Sequence, residues 1–160
     1  MNGPSKTSEY VYLAYLTEPR EVGESTKRSP QHLTLVPPFP FDTPLPMIKE
    51  AVDEVAAEAK PIQAVVDKEA RFGATRNIIV RLIKPAGVIR ALHFQLMYSL
   101  QSRGVTVPSK FVYETYLPHV TIKPVHQAGL AKNQRLTINH IAIMHKDKGH
   151  RTMLYKKELN

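Results

Sequence analysis

Short segments in which apolar and polar residues alternate recur along the chain and predict β-strands. The first, residues 10–17, is rich in aromatic and β-branched side chains. Further predicted strands lie at residues 31–36, 62–72, 77–84, 118–123, 135–145 and 150–159. Between the first two, residues 18–30 are polar and contain Gly23 and two prolines, which predicts a loop.

Two other segments place apolar residues at the spacing of an amphipathic helix. One runs from Pro44 to Pro61, with Asp42 or Thr43 as its expected cap, and the other from Pro85 to Gly104. Their inward-facing residues are Ile48, Ala51, Val52, Val55 and Ala59 in the first helix, and Ile89, Leu92, Leu96 and Leu100 in the second. This order predicts an α+β protein of two lobes with mainly antiparallel sheets and one long helix in each lobe.

Length and composition limit the class of protein further. A chain of 160 residues with 42% hydrophobic residues predicts one domain, for which we expect residues 9–160, after eight disordered N-terminal residues. No apolar segment resembles a signal peptide or is long enough to cross a bilayer, so we expect no membrane partner. The absence of cysteine excludes disulfides and thiolate metal sites and fits a cytoplasmic location. We expect a monomer.

The positive charge of the chain is concentrated near its C-terminus. The formal net charge is +8, and residues 121–160 contain eight lysines or arginines against two acids. A basic surface of this kind favours a polyanionic partner such as RNA. The alternative is a solvated basic face that only keeps the protein soluble.

Two of the predicted strands carry the same polar motif. In residues 31–36, His32 and Thr34 alternate with leucines, and in residues 118–123, His119, Thr121 and Lys123 alternate with Val120 and Ile122. Successive side chains of a strand point to opposite faces, so the apolar residues can enter a core while imidazole and hydroxyl groups share the other face. Such groups, with a lysine, are suited to binding a phosphate. We therefore predict one cleft with a histidine on each wall.

A third His-x-Thr triplet, at residues 150–152, has a different setting. Its middle residue is Arg151, which could not anchor the strand in a core as Leu33 or Val120 could. The triplet also directly follows the turn formed by residues 146–149. We interpret it as unrelated to the site.

A pair of histidines supports acid–base chemistry without any metal. Hydrolysis of a phosphate ester by water requires a base on the attacking side and an acid on the leaving side. An imidazole titrates near pH ~6.5, so two of them can hold opposite protonation states at neutral pH. The ring nitrogens should then lie roughly 5 to 8 Å apart, close enough for both to reach one phosphate.

The paired His-x-Thr strands, 87 residues apart, together with Phe72-Gly73 and residues 76–80, resemble the 2H phosphoesterase superfamily, the group of 2′-5′ RNA ligases and RNA 2′,3′-cyclic phosphodiesterases. The resemblance covers nearly all of residues 10–159. It implies a two-lobed α+β fold with pseudo-twofold symmetry and a metal-independent reaction at a phosphodiester of a 2′-oxygen. It also implies that His32 and His119 are the catalytic pair, with His32 as proton donor and His119 as water activator.

The same resemblance implies that Thr34 and Thr121 hold the phosphate. Lys123 is a further candidate for substrate binding, as are the aromatic residues that could stack on a base, of which we select Tyr12, Phe39 and Tyr116. No histidine spacing indicates a metal site, and we expect no cofactor. The predicted reaction is hydrolysis of 2′,3′-cyclic phosphate ends of RNA to a 2′-phosphate. The alternatives are hydrolysis of small cyclic or 2′-5′ oligonucleotides, and an RNA-binding module without catalysis.

Overall fold

The computed structural model describes residues 9–123 and 130–160, so the expectation of a disordered N-terminus lies outside the described residues. The described residues form nine strands and two α-helices. In chain order these are β1 (Glu9–Leu16), β2 (Ser25–Thr26), β3 (His32–Pro40), α1 (Leu45–Glu58), β4 (Ile62–Phe72), β5 (Ile78–Lys84), α2 (Ala86–Gln101), β6 (His119–Thr121), β7 (Arg135–Ile138), β8 (His140–Asp147) and β9 (His150–Glu158).

All nine strands belong to one antiparallel sheet, in the order β2-β9-β8-β1-β3-β6-β5-β4-β7. The two motif strands, β3 and β6, are neighbours in it and form the boundary between two lobes. One lobe contains β2, β9, β8, β1 and β3, and the other contains β6, β5, β4 and β7. The predicted two-lobed α+β architecture is thus confirmed, with the two sheets joined into one along β3 and β6.

Both helices cover the same face of this sheet. The Tyr155 hydroxyl of β9 donates a hydrogen bond of 2.6 Å to Asp53 in α1, which ties that helix to the first lobe. His93 of α2 forms a 2.7 Å hydrogen bond to the Leu35 carbonyl of β3, which ties the second helix beside the lobe boundary. The main hydrophobic core fills the space between helices and sheet and includes Leu33 and Val120, both fully buried.

A second, smaller cluster of buried side chains lies on the face of the sheet that the helices leave uncovered. It consists of Tyr12, Ala14, Leu16, Ala142, Met144 and Met153. Since Leu16 pairs with His32 and Ala14 pairs with Thr34, this face is the one on which the first motif displays its polar side chains.

Three local predictions are wrong, and one of them is the predicted loop 18–30, which contains the two-residue strand β2. Helix α1 begins at Leu45 with Pro44 as its N-cap and without a side-chain cap, so neither Asp42 nor Thr43 caps it. The predicted strand 135–145 is divided at Asn139 into β7, which pairs with β4, and β8, which pairs with β1. The chain therefore crosses from one lobe to the other at that residue.

Within the described ranges, neither helix combines the length and the apolar composition needed to span a bilayer.

Candidate active site

The four motif residues form a compact group on the uncovered face of the sheet. Leu33 and Val120 are paired across the antiparallel strands β3 and β6. Stepping one residue either way from this pair places His32 beside Thr121, and Thr34 beside His119. Directly opposite residues have Cβ atoms about 5 Å apart and diagonal neighbours about 7 to 8 Å apart, so the two histidines, which are diagonal, can contact one phosphate between them. All four side chains are partly exposed.

The two imidazoles are held by the same local hydrogen bond. His32 Nδ1 lies 2.7 Å from the Pro30 carbonyl oxygen, and His119 Nδ1 lies 2.7 Å from the Leu117 carbonyl oxygen. A carbonyl oxygen can only accept, so Nδ1 must carry the proton in both rings. The neutral ring then has its lone pair on Nε2, so Nε2 is the nitrogen at which each ring can gain a proton.

Each imidazole also packs against one aromatic ring from its own lobe. The centroids of Tyr12 and His32 are 5.1 Å apart, and those of Phe72 and His119 are 4.8 Å apart in an edge-to-face arrangement. The hydrogen bond and the aromatic contact together restrict both torsions of each histidine. The lobes therefore present two similarly oriented rings.

Burial affects the protonation of His119. It lowers the pKa of the His119 imidazole below its ordinary value, and the Leu117 carbonyl only partly opposes this shift. His119 is consequently neutral at physiological pH, the state required of a general base.

The threonines complete the group with two hydroxyls. Neither Thr34 Oγ1 nor Thr121 Oγ1 has a hydrogen-bond partner in the part of the chain that the structure describes. The backbone of Thr34 is anchored from behind, because the Tyr116 hydroxyl donates a 2.7 Å hydrogen bond to its carbonyl oxygen. Both hydroxyls can therefore donate toward an anion on the open face without breaking a bond to the protein.

Three of the four residues predicted to bind substrate are buried and cannot present a surface to a ligand. Phe39 is fully buried in the main core, and Tyr116 is 4% exposed and stacks on His93 at 4.1 Å. Contrary to the prediction, neither lines the groove, so neither can stack on a base. Tyr12 is on the groove face but only 3% exposed, and it supports His32 instead of presenting a surface to a ligand. Lys123 is exposed, two residues beyond Thr121.

The structure places three further residues around this site: Phe72, Ser29 and Arg151. Phe72 contacts His119, and Ser29 Oγ lies 3.4 Å from His32 Nδ1. Arg151 shares the face of Met153 in β9 and lies near the Tyr12 hydroxyl. In the sequence, Arg151 could be recognised as the middle residue of the third His-x-Thr triplet. An arginine at that position cannot enter a core as Leu33 or Val120 does.

His150 itself lies apart from the group, as the sequence predicted. It is exposed and, one residue before Arg151, projects to the opposite face of β9. No set of three His, Cys, Asp or Glu side chains among residues 9–123 and 130–160 is arranged to hold a metal ion.

Comparison with protein families agrees with this fold. A family model of the 2′-5′ RNA ligase superfamily matches residues 16–150. The chain therefore belongs to the 2′-5′ RNA ligase superfamily, the group of phosphoesterases that the paired motifs resembled.

Two curated relatives come from Geobacillus species, and both carry the name "Putative phosphoesterase". The one from Geobacillus kaustophilus is 35% identical over 104 residues, which is 60% of this chain and 56% of the relative. The one from Geobacillus thermodenitrificans is 33% identical over the same shares of the two chains. The matched part of this chain thus spans little more than half the length of either relative.

Solved structures share the fold over almost the whole chain. TT0787 of Thermus thermophilus superposes with a TM-score of 0.64 at 17% identity, covering 94% of this chain and 97% of that one. Escherichia coli LigT complexed with 3′-AMP has a TM-score of 0.57 at 15% identity, covering 95% and 98%. At these identities the likeness establishes the arrangement of the two lobes.

Proposed function

We propose that this protein is a metal-independent phosphodiesterase that opens 2′,3′-cyclic phosphate ends of RNA to a 2′-phosphate. The observation that carries the proposal is the diagonal pair of imidazoles, each with Nδ1 hydrogen-bonded to a backbone carbonyl, which assigns proton transfer to Nε2, and with a threonine beside each. Membership of the 2′-5′ RNA ligase superfamily supports this class of reaction.

His119 acts as the general base. Its imidazole is neutral because burial lowers its pKa, so Nε2 can accept a proton from water. As that proton leaves, the water oxygen forms a bond to phosphorus. The product of this half of the reaction is a protonated His119.

His32 acts as the general acid on the other side of the phosphate. His32 starts as the imidazolium, with a proton on each ring nitrogen. As the bond between phosphorus and the 3′-oxygen breaks, its Nε2 proton moves to that oxygen, which forms the 3′-hydroxyl and leaves the ring neutral. Phosphorus keeps its bond to the 2′-oxygen, so the product is a 2′-phosphate. One proton has been taken up by His119 and one released by His32, and exchange with solvent restores both rings.

The threonine hydroxyls stabilise the charge that develops on the two non-bridging oxygens. Thr34 Oγ1 lies beside His119, and Thr121 Oγ1 lies beside His32, so each imidazole works next to a hydroxyl from the other lobe. Preoriented donors of this kind act where charge grows in the transition state and cost little reorganisation.

The proposed substrate is an RNA end, and the proposed location is the cytoplasm. E. coli LigT, which shares this fold, has been solved in complex with 3′-AMP and with ATP, which supports a nucleotide as the ligand. Because both histidines come from one chain, a single copy suffices, and we propose that the protein acts as a monomer.

The test is turnover of a dinucleotide that ends in a 2′,3′-cyclic phosphate, measured in excess EDTA with the product isomer identified by phosphorus NMR. We expect a 2′-phosphate product at the same rate with and without EDTA. Binding without turnover would refute the catalytic proposal in favour of an RNA-binding module. Loss of turnover in EDTA, or a 3′-phosphate product, would refute the proposed mechanism.

A further inference from the structure

The symmetry between the lobes fails at one place, the surroundings of Tyr12. Both lobes supply a histidine, a carbonyl anchor, a threonine and an aromatic ring. In the first lobe alone, the aromatic residue carries a hydroxyl, and two more polar side chains lie near it: Ser29, before β3, and Arg151, in β9. We call Tyr12, Ser29 and Arg151 the polar cluster.

The position of Arg151 follows from strand register. In β9 it is two residues before Met153, and the pairs Met144–Met153 and Lys146–Arg151 are consecutive steps on one face. Met144 and Met153 belong to the buried cluster beside Tyr12 on the groove face. Arg151 therefore extends that face beyond His32, toward the edge of the first lobe.

Tyr12 is buried, and its hydroxyl lacks a partner. Oη is inaccessible to solvent and has no hydrogen bond within the described residues. Ser29 and Arg151 lie close enough to lower the pKa of the hydroxyl against the stronger raising effect of burial, but neither completes a hydrogen bond to it. A buried hydroxyl without a partner is costly, which marks this corner as one organised for a further group.

Arg151 is also a cation without a carboxylate partner. Arg103 forms ion pairs with Glu50 and Glu54, and Lys84 forms one with Asp67, whereas Arg151 forms none with any described residue. Its guanidinium is half-buried beside hydroxyl groups. Planar guanidinium groups bind phosphate oxygens through two parallel hydrogen bonds, and hydroxyls can add further donors.

The corresponding corner of the second lobe is apolar. Phe72 pairs with Ile78, so both side chains lie on the groove face, and Ile78 is 44% exposed. Leu117, whose carbonyl oxygen anchors His119, is 40% exposed. A nucleic-acid strand crossing the groove would therefore meet apolar surface on the His119 side and a cation on the His32 side.

We propose that Arg151, at the edge of the polar cluster, forms a second phosphate subsite that holds the phosphodiester on the 5′ side of the terminal nucleotide. The substrate is then an RNA strand, and the strand extends from the catalytic phosphate past His32 over the first lobe. This inference rests on the proposed function for the identity of the terminal group, but the subsite can be measured by binding alone.

The experiment compares two ligands that cannot react further. One is a short oligoribonucleotide ending in a 2′-phosphate, and the other is a mononucleoside 2′-phosphate, which lacks the upstream phosphodiester. Affinities are measured by titration calorimetry over a series of salt concentrations. Each phosphate neutralised by a cation contributes about −0.7 to the slope of log affinity against log salt for a single strand, so the oligonucleotide should have a slope steeper by at least this amount.

The test variant is Arg151→Gln and the matched control is Lys157→Gln. Lys157 is exposed on the same strand, and it pairs with Ile141 of the main core, so it lies on the opposite face. Both changes remove one positive charge. We expect Arg151→Gln to reduce the oligonucleotide slope by about 0.7 and to weaken oligonucleotide binding about tenfold more than mononucleotide binding. Lys157→Gln should leave both affinities close to wild type.

The outcomes separate the subsite from the catalytic proposal. Equal slopes for the two ligands, or equal effects of Arg151→Gln and Lys157→Gln, overturn the subsite even if the enzyme turns over cyclic phosphates. A selective loss in Arg151→Gln supports the subsite even if no turnover is found, and then only the proposed reaction fails. An Arg151→Lys variant, which keeps the charge without the planar fork, should restore most of the slope and only part of the affinity. If it restores neither while its unfolding midpoint matches wild type, the phosphate contact is refuted.

Discussion

His140 gives the sharpest prediction that this structure allows, because both of its ring nitrogens are engaged and its pKa is strongly shifted. The Leu16 backbone N–H donates to His140 Nε2 at 3.2 Å, so Nε2 must be an acceptor and Nδ1 must carry the proton. His140 Nδ1 accordingly lies 2.7 Å from Asn139 Oδ1. Protonating the ring would destroy the acceptor for Leu16, the residue paired with His32. Burial, reinforced by Lys156 and opposed by Glu158, lowers the pKa of His140 to about 4.

The sign and size of the effect follow from linkage. The unfolded chain has an ordinary histidine, which binds its proton near pH ~6.5, so between the two pKa values the unfolded state holds more protons. The stabilising contribution of neutral His140 is present above the unfolded pKa and is lost as the pH falls toward the folded one. At about 1.4 kcal/mol for each unit, the loss would reach about 2 kcal/mol near pH 5. Solvent screening of the neighbouring Lys156 and Glu158 reduces this to about 1 to 2 kcal/mol.

The assay is urea unfolding of wild type and His140→Gln at about pH 7.5 and about pH 5. Glutamine retains an acceptor for the Leu16 N–H but does not titrate. Burial also lowers the pKa values of His93 and His119, so the wild type loses stability from several groups, and subtracting the variant isolates His140. We expect the wild type to lose about 1 to 2 kcal/mol more than the variant over this interval. Equal losses in the two proteins would refute the reasoning.

Three further predictions concern the site itself. His32→Ala and His119→Ala should each lower turnover by about a hundredfold or more, whereas His150→Ala should leave it nearly unchanged, and similar losses at all three positions would contradict the chosen pair. Phe72→Ala should expose His119 and raise its pKa toward the ordinary value, moving the acidic limb of the kcat/KM profile to higher pH. An unmoved limb would show that the ring does not set the environment of the base. Tyr116→Phe, which removes the 2.7 Å hydrogen bond to Thr34, should destabilise the fold by about 1 kcal/mol in urea unfolding, and an unchanged midpoint would contradict this role.

The alternation of apolar and polar residues predicted correctly which face of the sheet each side chain of the motif strands occupies. Side chains alternate between the two faces of a strand, so once the apolar residues are placed in the core, the polar residues must lie on the other face. Leu33 and Val120 are buried as that pattern requires, and the four polar residues share the other face. The same rule explains why His150 could be set aside.

What sequence could not supply were relations between distant segments. Residue type does not tell which face an aromatic side chain takes, so Phe39 and Tyr116, which belong to the core, were selected as stacking residues. Phe72 and Arg151 reach the site through strand neighbours that no local pattern specifies. The break at Asn139 was invisible because the residues on both sides of it favour strand, and the change of pairing partner is decided by tertiary structure.

The seam between β3 and β6 makes the proposed active site depend on residues that are distant in the chain. Each lobe brings one imidazole and one hydroxyl, and it is the pairing of Leu33 with Val120, 87 positions apart in the chain, that sets His32 and His119 diagonally across the seam. Closing so long a stretch of chain costs entropy, and contacts of this range form slowly. A chain in which only one lobe has folded presents only one of the two histidines of the proposed site. Turnover that returns during refolding would therefore report when the two lobes join. A spectroscopic signal from the helices would report only when the helices form.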